Sequence, residues 1–106
     1  ILEELATNPN LHESTQIDIS NNIERSAVIT LAGNPNLSEK VQLKLANTDN
    51  ETVKSTLAKN TNITEATQLI LANNESCFVR GSLAMNINIT EQMKKYLSQF
   101  RRGYFK

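Results

Sequence analysis

One period governs this chain: the pair Leu-Ala recurs at residues 5–6, 31–32, 57–58 and 83–84, each step being 26 residues. Two positions after each Ala stands an Asn (Asn8, Asn34, Asn60, Asn86), and two further on another (Asn10, Asn36, Asn62, Asn88). Then come Leu11, Leu37, Ile63 or Ile89 and, two residues later, Glu13, Glu39, Glu65 or Glu91. An aliphatic closes the pattern at Ile19, Leu45, Leu71 and Leu97. Internal periods of this length mark stacked supersecondary units. The 106 residues therefore read as a single repeat domain with units 5–30, 31–56, 57–82 and 83–106. Residues 1–4 close a preceding unit, because Ile1 shares a column with Ala27, Val53, Val79 and Phe105. A start in mid-unit suggests a piece of a longer array or a module of a larger protein.

Each unit reads as two short helices. Ser38, Thr64 and Thr90 stand as N-caps directly before a Glu, where a hydroxyl can accept a first-turn amide and the carboxylate suits the helix dipole. His12 replaces the hydroxyl in the first unit, so that helix should start less firmly. The first helix carries Val41 and Leu45, four residues apart, and should end near Asn47 or Asn73, a residue type that tolerates left-handed geometry. The second starts around Asp49-Asn50-Glu51 or Asn74-Glu75-Ser76 and carries Val53 and Leu57, or Val79 and Leu83. Small residues beside that stripe (Ala58, Thr56, Ala84, Ser82) let neighbouring copies approach closely. The expected fold is all-α, an elongated α-solenoid of about four two-helix repeats. One pattern points elsewhere: Thr15–Ile19 and Val41–Leu45 alternate with period two, as strands do. The alternative is a leucine-rich-repeat-like solenoid with one strand and one helix per unit. If the helix is right, Leu43 and Leu69 must pack against a second neighbour or stay exposed.

The unit Leu-Ala-x-Asn-Pro-Asn-Leu-Ser-Glu-x-x-Gln-x-x-Leu-Ala, followed later by Val and Lys or Arg, resembles the bacterial leucine-rich repeat variant family over essentially the whole chain. That resemblance implies a right-handed superhelix of short helices. The unit here is slightly longer than the family's usual one, and the second Leu of its first helix sits one place later. Some members carry an N-terminal cysteine cluster for an iron–sulfur centre; this chain has only Cys77, so that cofactor is not implied.

The recurrent polar columns invite two explanations, recognition or internal ladders. Buried amides need partners, and a regular stack supplies them, so the two Asn columns read as ladders bonding backbone in their own or the next unit. Gln16, Gln42 and Gln68 fit either a ladder or a partly exposed polar column. The sequons at Asn36, Asn50, Asn62, Asn74 and Asn88 coincide with helix starts and read as by-products of capping. His12 has no second His to work with, and Cys77 has no nearby His or Cys, so both read as incidental. No phosphate loop, paired metal ligands or nucleophile–base pair occurs, and three Gly in all exclude a dinucleotide fingerprint. The sequence thus points to a non-enzyme with no cofactor, metal or small-molecule substrate. No apolar run approaches the ~20 residues of a membrane span. One Cys without a disulfide framework fits a cytoplasmic, reducing setting, or carries no redox information.

Charge placement says more than the net charge of zero. Residues 1–53 hold three basic against eight acidic side chains, and residues 54–106 hold eight basic against three acidic. Lys54, Arg80 and Lys106 share one column, which could meet an acidic protein surface or a phosphate backbone, or simply follow a consensus with packed stems and solvated heads. The last stretch gathers Tyr96, Phe100, Tyr104 and Phe105 around Arg101 and Arg102. A cap over the terminal apolar edge is the first explanation, an interface hot spot the second. The expected function is a protein–protein interaction scaffold, with Lys54, Arg80, Phe100, Arg101, Arg102, Tyr104 and Lys106 as candidate partner-binding residues. The alternative is a nucleic-acid-binding α-solenoid using the basic half.

Overall fold

The computed structural model describes residues 2–22 and 24–104, with side chains over 4–22 and 24–99. Among these residues the chain is all-helical: α1 (Leu2–Ala6), α2 (Glu13–Ser20), α3 (Arg25–Ala32), α4 (Glu39–Ala46), α5 (Glu51–Lys59), α6 (Glu65–Ala72), α7 (Cys77–Ala84) and α8 (Glu91–Tyr104). The odd-numbered helices pack in succession, α1 on α3, α3 on α5, α5 on α7. The even-numbered ones do the same, α2 on α4, α4 on α6, α6 on α8. The principal extents are 46 × 23 × 18 Å. Between the two rows lies the core, to which the odd row gives Leu31, Leu57 and Leu83 and the even row Ile19, Leu45, Leu71 and Leu97.

The helices start where the hydroxyls and amides stand. Ser38 and Thr64 accept the amides of Val41 and Thr67, each at 3.3 Å, and Thr90 accepts that of Met93 at 3.0 Å. Asn50 caps α5 through Val53 N at 3.1 Å, and Ser76 caps α7 through Phe78 and Val79. His12 caps α2 with no side-chain bond, as its ring predicts. Each such cap satisfies an amide that has no partner inside the helix.

Two sequence expectations fail here. No strand occurs among the described residues, so the strand-plus-helix alternative is set aside: Thr15–Ile19 lie in α2 and Val41–Leu45 in α4. The apparent alternation arose because Gln42 looks polar in the pattern yet is buried. On α4 the buried set is Val41, Gln42, Leu45 and Ala46, a helical spacing. The helix ends are also not left-handed. Asn47 has φ −100° and Asn73 φ −95°, and no described residue has positive φ. Instead their side chains serve free carbonyls, Asn47 Nδ2 donating to Leu43 O at 2.8 Å and Asn73 Nδ2 to Leu69 O at 2.9 Å. Leu69 stays exposed and Leu43 half-buried, as the α-helical register requires.

Candidate functional site

The polar columns are spent inside the molecule. Asn34 Nδ2 donates to Ala6 O and Asn8 O, both at 2.8 Å. Twenty-six residues on, Asn60 Nδ2 donates to Ala32 O (3.0 Å) and Asn34 O (2.8 Å). The next step repeats it, Asn86 Nδ2 to Ala58 O (2.8 Å) and Asn60 O (2.9 Å). Each Oδ1 turns the other way and accepts the amide two residues ahead, as Asn60 does from Asn62 at 3.0 Å. All three are buried, so one side chain both shapes its own turn and ties it to the previous one. The outer Asn column adds single bonds at the surface, Asn62 Nδ2 to Pro35 O and Asn88 Nδ2 to Thr61 O, each 2.9 Å.

The Gln column, undecided from sequence, is also buried. Gln16 bridges Leu11 O, Asn36 O and the amide of Ser38; Gln42 bridges Leu37 O, Asn62 O and the amide of Thr64. Thr67 adds its hydroxyl to Gln42 Oε1 at 3.1 Å. The series stops at Gln68, whose Oε1 is buried without a partner. Met93 stands where Val41 and Thr67 stand in the earlier units and offers no donor to that oxygen, and the amide of Thr90 does not reach it. The joint between α6 and α8 is therefore bonded more poorly than the two before it.

Of the candidate binding residues, Lys54 and Arg80 stand on the neighbouring helices α5 and α7. Lys54 is half-buried. Arg80 is only 8% exposed, and its Nη1 donates to Asn74 O at the entry to its own helix. Phe100, Arg101, Arg102 and Tyr104 stand on α8, but their side chains, and all of Phe105 and Lys106, lie outside the described residues. Tyr96 is half-buried and donates its hydroxyl to Asn73 Oδ1, linking α8 to the end of α6. On the same helix Lys95 is exposed and Lys94 pairs with Glu91 at 3.2 Å.

His12 and Cys77 are exposed. Among the described residues no group of His, Cys, Asp and Glu could hold a metal ion, and no helix is long and apolar enough to cross a membrane. An open cleft of about 590 Å³ lies between the starts of α3 and α5, lined by Ser20, Asn22, Arg25, Asp49, Asn50 and Glu51 among others. Its wall carries charges of both signs, Arg25 against Asp49 and Glu51. Sequence reasoning missed the exposed apolar side chains Phe78, Met85 and Ile87. The available signal was departure from the columns, since Phe78 falls where Ser26 and Thr52 fall, and Met85 where Thr7, Gly33 and Lys59 fall.

No family model, curated protein or solved structure compared with the chain matches it.

Proposed function

We propose that this chain is a tandem-repeat α-solenoid of the leucine-rich repeat variant type, acting as a non-enzymatic scaffold that binds another protein. The observation that carries the reading is the Asn34–Asn60–Asn86 series, in which the same amide makes the same pair of bonds to backbone 26 and 28 residues earlier. Side chains consumed in this way hold a stack together and leave recognition to positions where the units differ. Those positions gather in the last unit, whose α8 carries Lys94, Lys95, Arg101 and Arg102 with Tyr96, Phe100 and Tyr104. An interface there would combine aromatic and Arg anchors, the residue types that dominate binding energy. The partner is expected to present an acidic surface. A single free cysteine, Cys77, is compatible with a cytoplasmic setting.

The nucleic-acid alternative draws less support, because Arg80 is buried and bonded to backbone instead of extending a basic stripe. The test pairs two measurements on the whole chain. Replacing Phe100, Arg101 and Arg102 together by Ser should abolish recovery of the partner that the unaltered chain captures from its native host. Unchanged recovery would leave α8 as a cap only. A low-salt electrophoretic shift that disappears steeply on adding salt would favour nucleic acid instead.

A further inference from the structure

The joints of the even-numbered row are not equivalent, because the Gln column crosses α2–α4 and α4–α6 but not α6–α8. From α2, Gln16 reaches the next unit twice, Nε2 donating to Asn36 O at 3.1 Å and Oε1 accepting the amide of Ser38 at 2.9 Å. From α4, Gln42 donates to Asn62 O at 3.4 Å and accepts the amide of Thr64 at 2.8 Å and the Thr67 hydroxyl at 3.1 Å. From α6, Gln68 makes no bond to the described residues of the next unit. Its Nε2 donates to Ile63 O at 3.4 Å, inside its own unit. Its Oε1 is buried without a partner, on a residue only 6% exposed.

Other bonds mark how far the stack is tied. Asn86 donates to Ala58 O and Asn60 O, and Asn88 to Thr61 O. Ser82 Oγ lies 2.7 Å from Ser55 Oγ, so α7 and the turn after it are fastened to the unit before. Past Asn88, Ile89, Met93 and Leu97 pack α8 onto the core, and the Tyr96 hydroxyl meets Asn73. A buried acceptor with no partner raises the energy of the closed joint, and water would relieve it if α8 moved away. Opening α2–α4 or α4–α6 breaks Gln bonds across the joint. Opening α6–α8 breaks none and hydrates Gln68 Oε1.

We propose that α8 opens as a separate unit, swinging away from α6 about the residues that follow Asn88 while α1 to α7 stay folded. Such partial openings are expected where a folded chain is least well bonded. Met93 and Leu97 lose their burial in the open form, which keeps it the minor one. This inference stands independently of the partner assigned to α8, since its test contains none.

The test is native-state hydrogen exchange on the whole chain, read by NMR over a series of urea concentrations below unfolding. The amides of Tyr96 and Leu97 should be less protected than those of Leu45 and Leu71 by about tenfold or more. Their protection should fall with urea, but less steeply than that of Leu45, because opening one helix exposes only part of the surface. Gln68→Leu takes the unpartnered oxygen out of the closed joint and should raise the protection of Tyr96 and Leu97 by about fivefold or more. Circular dichroism checks that this variant keeps its fold. Equal protection and equal urea slopes in α4, α6 and α8 would overturn the proposal, since the chain would then open only as a whole. No urea dependence at Tyr96 and Leu97 would also overturn it, because fraying within α8 leaves the joint closed. A folded Gln68→Leu variant with unchanged α8 protection would equally overturn it.

Discussion

Replacing Asn60 by Ala removes three hydrogen bonds at a buried site: two donated to Ala32 O and Asn34 O, and one accepted from the amide of Asn62. Alanine leaves both carbonyls and the amide without these partners. A net contribution near 1 kcal/mol per bond, with a further penalty for buried groups left unpaired, makes the expected loss about 3–5 kcal/mol. For a domain of this size that is roughly 12–40 °C in melting temperature. Asn62→Ala is the internal control, because it removes one exposed side-chain bond, to Pro35 O, and should cost about 1 kcal/mol or less. Urea unfolding followed by far-UV circular dichroism measures both. Asn60→Asp should fare no better than Asn60→Ala, since it keeps the acceptor but points a second oxygen at two carbonyls. If Asn60→Ala lies within about 1 kcal/mol of the unaltered chain, the buried ladder does not hold the helices together and the structural reasoning fails.

The other predictions use the same unfolding measurement. Gln42→Leu removes bonds to Leu37, Asn62, Thr64 and Thr67 and should cost about 3 kcal/mol, whereas Gln68→Leu removes one long bond and an unpartnered oxygen and should be near neutral. Equal losses would contradict the break seen at the α6–α8 joint. His12→Ser gives α2 the cap that Ser38 gives α4 and should stabilise by about 0.5–1 kcal/mol; no gain would mean that the first turn is already satisfied. Leu57→Ala opens the core between the rows and should cost about 2–5 kcal/mol, a loss below 1 kcal/mol pointing to a site able to collapse.

Much of this was legible because periodic sequence makes periodic bonding. The Asn columns, the hydroxyl caps and the weak start at His12 follow from residue type and spacing alone. Burial of the Gln column did not, because a Gln between apolar neighbours reads as a strand's polar face until the helical set Val41, Gln42, Leu45 and Ala46 closes around it. The ends of α4 and α6 were misjudged for a related reason: Asn can stop a helix through its backbone or its side chain, and here the side chain takes the carbonyl. The orphaned Gln68 oxygen lacks the backbone amide that Ser38 gives Gln16 and Thr64 gives Gln42, a relation between units that no single column displays. The exposure of Phe78 and Met85 was hidden because each is an ordinary residue individually, and only the folded chain shows that neither is covered.

The most direct test of the central claim, that buried Asn amides tie successive helical turns into one stack, is hydrogen exchange at the Asn side chains followed by NMR. The side-chain amides of Asn34, Asn60 and Asn86 should exchange much more slowly than those of the surface residues Asn47, Asn62 and Asn73. Equal, fast exchange across all six would contradict it, since amides open to water cannot be what holds the turns together.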